Sequence, residues 1–193
     1  MINAVIFDWG GVLAPADTPI AAQKLSEKYG LDVNNLKEKI AKYEKECSNS
    51  KDYSSFIKKM YDEFKVSQED LIQALVDIPV SKGLVTARKL KGKAKLFILS
   101  NQMQFKSEYI RKNNDLSFFD HIFFSSEIGI QKPSPNAFKL VLEEINEVAQ
   151  DCLFIDDKEE NIRTAQDLGM KTIHCFNEAQ LHIGLRSLGF NIS

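Results

Sequence analysis

Two kinds of hydrophobic pattern alternate along this chain. Short, uninterrupted apolar runs occur at Ala4 to Phe7, Leu96 to Leu99, Ile122 to Phe124 and Leu153 to Ile155, and a fifth, mixed run spans Lys171 to Phe176. Such runs suit strands covered on both faces, as in a parallel sheet flanked by helices. Elsewhere apolar residues recur every third or fourth position, which predicts helices. Thr18-Pro19 opens the first, which carries Ala21, Leu25 and Tyr29 and closes at Gly30. A second runs from about Asn35 through Leu36, Ile40, Tyr43 and Cys47, and a third from near Asp52 through Phe56, Ile57, Met60, Tyr61 and Phe64. Ser67 caps a fourth, with Asp70 three residues on as in a capping box, and Leu71, Leu75 and Ile78 form its apolar face.

No strand pattern interrupts residues 15–82. The segment therefore reads as a four-helix insertion, bounded by Pro15 on one side and by Pro79 to Gly83 on the other. Residues 1–14 and 83–193 make up the rest. There, helices and strands take turns. One helix follows Ser134-Pro135 with Phe138, Val141, Leu142, Ile145 and Val148; the next carries Ile162, Ala165 and Leu168 and stops at Gly169; the last carries Leu181, Leu185 and Leu188. That alternation predicts an α/β fold, a parallel sheet joined by right-handed crossovers.

Composition narrows the partners. The hydrophobic share of 44% and charged share of 27% are those of a soluble globular protein. A formal charge of −2 offers no basic excess, which argues against nucleic acid. No apolar stretch is long enough to span a bilayer, and the first residues show neither a basic leader nor a small-residue cleavage site. Cys47, Cys152 and Cys175 are few, odd in number and far apart, which fits reduced thiols better than a disulfide framework or a metal cluster. Together these features predict a cytoplasmic protein with neither membrane nor nucleic acid as a partner.

The candidate chemistry sits where strands end. Asp8 follows the first run, Ser100 and Asn101 the second, and Asp156 and Asp157 the fourth, while Lys132 lies in the loop Gly129-Ile130-Gln131-Lys132-Pro133. In open parallel sheets ligands gather at the carboxyl ends of strands. If the first and fourth strands are neighbours, their carboxylates converge, repel and raise each other's pKa unless a cation joins them. Oxygen ligands without nearby His or Cys favour magnesium. Ser100 and Lys132 offer a hydroxyl and a fixed positive charge suited to phosphate oxygens, and Gly10-Gly11 lets the backbone turn sharply beside Asp8.

In this order the motifs resemble those of the haloacid dehalogenase superfamily, mostly magnesium-dependent phosphatases. Phe-Asp8-Trp-Gly-Gly-Val-Leu resembles its first motif, Leu-Ser100-Asn101 its second, Gly129-Ile-Gln-Lys132-Pro-Ser-Pro its third, and Ile-Asp156-Asp157-Lys-Glu-Glu-Asn161, continuing to Gly169-Met170, its fourth. The resemblance covers the whole chain and implies a Rossmann-like core with the insertion as a small helical cap. By the same resemblance Asp8 is the nucleophile, and Asp8, Asp156 and the Gly10 carbonyl hold Mg2+. Ser100, Asn101 and Lys132 bind the substrate's phosphate, Lys132 also serves catalysis, and Asp157 and Asn161 support the site. The implied activity is hydrolysis of small phosphate monoesters through an aspartyl-phosphate, with a small phosphorylated metabolite as partner.

The family's phosphatases usually carry a second aspartate two residues after the nucleophile, to protonate the leaving group. Here that position is Gly10. Loss of a general acid typically costs about 10²–10⁴ in rate for a poor leaving group, so good leaving groups should be favoured. Asp17, near the connection to the helices, is a candidate replacement. Two other readings stand beside this one: a 2-haloacid dehalogenase, in which Asp8 attacks carbon, and a catalytically impaired binding or regulatory protein. Asp157 has two roles open to it, capping the next helix with Glu160 or serving the metal. His121, His174 and His182 lie outside the motifs and read as structural, and Trp9, Tyr53, Phe56 and Tyr61 read as core.

Overall fold

The computed structural model describes residues 2–79 and 82–192, with only the backbone at Lys82. The strands are β1 (Ala4–Phe7), β2 (Lys95–Ser100), β3 (His121–Phe124), β4 (Cys152–Asp156) and β5 (Lys171–His174). They form one five-stranded sheet in the order β3-β2-β1-β4-β5, parallel throughout. β1 is therefore central, flanked by the two strands whose ends carry Ser100 and Asp156. In register, Phe7 lies opposite Ile98 on one side and Ile155 on the other.

Strand side chains alternate between two cores, because successive residues of a strand point to opposite faces. Val5, Phe7, Leu96, Ile98, Leu153 and Ile155 join one apolar cluster, while Ala4, Ile6, Phe97, Leu99, Cys152 and Phe154 join another on the opposite face. Burial on both faces explains the unbroken apolar runs. Helices α5 (Lys82–Arg88), α6 (Gln104–Asn113), α7 (Ser125–Ile128), α8 (Pro135–Glu144), α9 (Glu159–Asp167) and α10 (Glu178–Ser187) lie among the strands in sequence.

Residues 17–76 fold as four helices, α1 (Asp17–Tyr29), α2 (Val33–Cys47), α3 (Ser54–Phe64) and α4 (Gln68–Val76). They enclose a third cluster containing Leu25, Leu36, Ile40, Phe56, Met60 and Leu71, into which Met103 and Phe105 enter from the sheet side. Polar contacts also tie these helices to the site loops. The Ser125 hydroxyl donates to the Ser48 carbonyl, the Ser48 hydroxyl donates to Gln131, and the Gln131 amide donates to Lys45 O at 3.2 Å. At the return to the sheet, Gly83 presses on Val12: a Cβ there would lie 2.0 Å from the Val12 carbonyl oxygen. Val80 and Ser81, within the expected second boundary, lie outside the described residues.

Several boundaries differ from the sequence pattern. Strands β2 to β4 each take in polar or small residues beside the apolar run, Lys95, Ser100, His121, Cys152 and Asp156, because the ladder needs backbone groups only. β5 stops at His174, leaving Phe176 exposed. Thr18 does not cap α1. The helix already starts at Asp17, and the Thr18 hydroxyl donates to Glu44 instead. Helix α4 ends at Val76, two residues before Ile78. Helix α8 ends at Glu144, four residues before Val148, since Asn146 adopts a left-handed φ of 53°. α10 ends just before Leu188, where Gly189 has a φ of 88°. Tyr61, expected in the core, is 53% exposed.

Candidate active site

The order of the sheet brings the strand-end residues together. Asp8 follows β1 directly, its amide donating to Ile155 O at 2.8 Å, and Asp156 is the last residue of β4. One carboxylate oxygen each from Asp8, Asp156 and Asp157 lies within 4.8 Å of the others. Lys132, buried, reaches between two of them, with its ammonium 3.0 Å from Asp8 Oδ1 and 2.5 Å from Asp156 Oδ2. Burial alone would lower the Lys132 pKa, but Asp156 and Asp8 hold it above the ordinary lysine value. Its ammonium also sits over the Phe154 ring, 5.3 Å from the centroid.

The supporting contacts are dense. Asp8 Oδ1 also accepts from the Trp9 amide at 2.7 Å. The Asn161 side-chain amide donates to both oxygens of Asp156, each at 3.0 Å, and the Lys158 amide donates to Oδ1 at 2.8 Å. Asn101, expected among the phosphate-binding groups, spends its side chain on Lys132. Its amide donates to the Lys132 carbonyl at 2.8 Å, and its oxygen accepts from the Lys132 N–H at 2.9 Å. It therefore positions the lysine loop. Ser100 is buried, its hydroxyl accepting from Gln102 at 3.2 Å, and it borders the same cavity as Asp8.

Of the two roles open to Asp157, helix capping does not occur. Helix α9 starts after Lys158 and has no side-chain cap. The Asp157 carboxylate turns toward Asp8 instead, and its Oδ1 is buried without a hydrogen-bond partner. Burial, with Asp8 and Asp156 adding repulsion, pushes its pKa up to about 6; Asp156 is also raised, by burial and Asp8 against the pull of Lys132. The Asp157 carbonyl pairs with His174 Nε2 at 3.0 Å. His182 Nε2 pairs with the Thr86 hydroxyl at 2.9 Å, remote from the carboxylates in sequence and on the α5–α10 side.

The glycines after Asp8 differ. Gly11 has a φ of +83°, and a Cβ there would stand 2.5 Å from Asp157 Oδ2, so the turn admits only glycine without displacing that carboxylate. Gly11→Ala is expected to lower the unfolding free energy by about 1–3 kcal/mol, read as a shift in the denaturant midpoint. A midpoint equal to wild type would show that the turn relaxes freely. At Gly10 an added Cβ meets nothing within 4 Å.

Over Asp8 lies a cavity of about 260 Å³, bordered by Asp8, Gly10, Ser100, Lys132 and Asp157 from the sheet side and by Asp17, Thr18, Ala41 and Glu44 from the helices. A second pocket of about 240 Å³, which shares Glu44 and Lys132 with the first, is bordered by Lys45 and Ser48. The helical wall holds a buried lysine that the motifs do not contain. Lys106 of α6 pairs with Asp17 and, at 3.0 Å, with Glu44. A signal for it exists in the chain. Lys106 stands among the buried residues Phe105, Ser107 and Ile110, and Glu44 falls on the α2 stripe between Ile40 and Cys47, charged groups placed on apolar faces.

The sequence profile of the haloacid dehalogenase-like hydrolases matches residues 2–169. The chain belongs to that family. Among relatives of this haloacid dehalogenase-like hydrolase, a drimenol cyclase of Aspergillus calidoustus is 30% identical over 181 residues, 90% of this chain but 34% of the relative. The chain thus spans about a third of that protein's length. A D-ribitol-5-phosphate phosphatase of Bacteroides thetaiotaomicron is 23% identical over 197 residues, covering 93% of this chain and 94% of the relative. Among solved structures, a haloacid dehalogenase family enzyme of Bacteroides thetaiotaomicron bound to magnesium and inorganic phosphate superposes with a TM-score of 0.73 at 24% identity, over 89% of this chain and 93% of that one. That likeness shows the shared Rossmann-like fold. No helix among the described residues is long and apolar enough to cross a membrane.

Proposed function

We propose that this hydrolase cleaves small phosphate monoesters in a magnesium-dependent reaction, through an aspartyl-phosphate on Asp8, and favours good leaving groups. The observation that carries the reading is the meeting of three carboxylates and one buried lysine, of which Asp8, Asp157 and Lys132 border a cavity. Fully ionised, three negative charges face one positive charge, a surplus of two. That surplus, the all-oxygen donor set and the unpartnered Asp157 Oδ1 fit a divalent, hard cation. Asp8, Asp156 and the Gly10 carbonyl would hold it, with Asp157 and Asn161 in support. When bound, magnesium supplies positive charge to the phosphoryl oxygens.

The chain's own residues do the rest. Asp8 attacks phosphorus, the leaving group departs, and water then hydrolyses the acyl phosphate and regenerates the carboxylate. Lys132, fixed by Asn101 and by both carboxylates, offsets charge on the phosphoryl group, and Ser100 orients it. Residues 15–82 act as a cap that closes over the substrate and excludes water. A cavity of about 260 Å³ suits a small metabolite, since pockets for drug-sized ligands run from roughly 300 to 1,000 Å³. The D-ribitol-5-phosphate phosphatase relative and the magnesium-phosphate complex of the structural neighbour support the same reading. In the dehalogenase alternative the carboxylate surplus has no role.

The test is turnover of aryl phosphates with magnesium, abolished by chelation, beside calorimetry of Asp156→Asn. Wild type should bind magnesium, and the variant at least ~10-fold more weakly. Equal binding by the two proteins would remove the metal assignment, and turnover insensitive to chelation would remove the metal dependence.

A further inference from the structure

We propose that Glu44, reaching the cavity from helix α2, donates the proton to the leaving group that position 10 cannot. The inference rests on the reading of Asp8 as nucleophile. Asp8 and Gly10 border the cavity from the sheet side, Glu44 from the helical side. A Cβ added at position 10 would meet nothing within 4 Å, so no neighbour crowds that edge of the cavity.

The charges around Glu44 favour its acid form. Its neighbours are Asp17 and Thr18 of α1 and Lys106 of α6; the cavity wall adds Lys37 of α2 itself and, opposite, Asp8, Lys132, Asp157 and Lys158. Lys106 is one ammonium between two carboxylates. It makes its shorter contact with Asp17, while Glu44 lies 3.0 Å away and accepts from the Thr18 hydroxyl at 3.2 Å. One lysine neutralises one carboxylate, and a second, largely buried carboxylate is driven toward the protonated form. Burial raises the Glu44 pKa, Asp17 adds to the rise, and Lys106 and Thr18 oppose it.

The step balances without a further reactant. As the Asp8 oxygen bonds to phosphorus and the bond from phosphorus to the leaving oxygen breaks, the Glu44 proton passes to that oxygen and an alcohol departs. Glu44 is then a carboxylate beside Lys106. It takes a proton from the water that attacks the aspartyl-phosphate, which frees the Asp8 carboxylate and inorganic phosphate and restores the acid. Lys106 stabilises the ionised form between the two halves.

The experiment follows the ratio of alkyl to aryl phosphate turnover with saturating magnesium. Alkyl esters need the proton and aryl esters need it far less. In wild type the ratio should fall as pH rises through the raised Glu44 pKa, since only the protonated form donates. Glu44→Gln, which keeps the shape and the Thr18 contact, should lower the ratio by about 10²-fold and flatten that pH dependence. Gly10→Asp added to Glu44→Gln should restore it. A ratio unchanged in Glu44→Gln, or independent of pH in wild type, would overturn the proposal and leave Glu44 a structural tie between α2 and α6. Should Glu44→Gln fail to fold, the wild-type pH profile still decides. Turnover of neither ester class would instead overturn the reading of Asp8; turnover of aryl esters alone would overturn only the role of Glu44.

Discussion

Asp8→Asn is expected to abolish phosphate ester hydrolysis while leaving the protein folded and more resistant to thermal unfolding. Removing a nucleophile that acts as a unit with its neighbours costs on the order of 10⁶ in kcat in a well-studied hydrolase, and at least about 10⁴ is expected here. Asparagine keeps the size of the side chain and an oxygen that can accept from the Trp9 amide and Lys132, contacts that converge on Asp8 Oδ1. It removes one of three mutually repelling carboxylates, which is the source of the expected gain in stability without metal. Two measurements check this: a melting curve in chelator, and acid-quench trapping of labelled phosphoenzyme, present in wild type and absent in the variant. Activity within tenfold of wild type, or a trapped phosphoenzyme in Asp8→Asn, would show that the covalent intermediate forms elsewhere.

Gly10→Asp should have the opposite sign for one class of substrate. Alkyl phosphate turnover is expected to rise, by up to roughly 3–5 kcal/mol of barrier where no other acid acts and by less while Glu44 serves, and aryl phosphate turnover changes little. The structure supports the substitution in two ways. Gly10 is not among the residues with a positive φ, and an added Cβ meets nothing within 4 Å. A carboxylate there would join three others, whose repulsion raises its pKa and suits an acid; the same repulsion should lower stability when metal is removed. Because Glu44 supplies part of this function in wild type, the gain should be larger in the Glu44→Gln background. The alkyl-to-aryl ratio in the single and double variants measures both effects. A ratio unmoved by Gly10→Asp in a folded protein that also carries Glu44→Gln would mean that protonation does not limit departure of the leaving group.

The fold was legible because both-face burial writes itself as continuous apolar runs, and β1, β2 and β4 needed nothing more. The pattern falters where backbone conformation decides. Asn146 and Gly189 turn the chain with left-handed φ values, and the apolar spacing running on to Val148 and Leu188 carries no trace of either turn. At the site, each strand-end residue was visible singly, since an acid that ends an apolar run stands out. Pairings between distant elements were not. Nothing local says that Asn101 grips Lys132, 31 residues away, or that Lys106 meets Glu44, 62 residues away. The roles of Asp157 were open because Asp-Lys-Glu-Glu reads equally well as a helix start; the room that Gly11 leaves beside Asp8, a property of β1 and β4 together, lets its carboxylate turn inward.

The contact of Gly83 with Val12 has an evolutionary consequence. The chain departs from the sheet layer just after Val12 and comes back at Gly83, backbone against backbone, with no room for a single methyl group between them. Both ends of the intervening segment are thus anchored at one point, and its length makes no difference to the spacing of β1 and α5. Such a point is a graft site. A longer, shorter or differently folded segment could be exchanged there with the register of the sheet undisturbed, which would change what the cavity admits and leave Asp8, Lys132 and Asp156 in place.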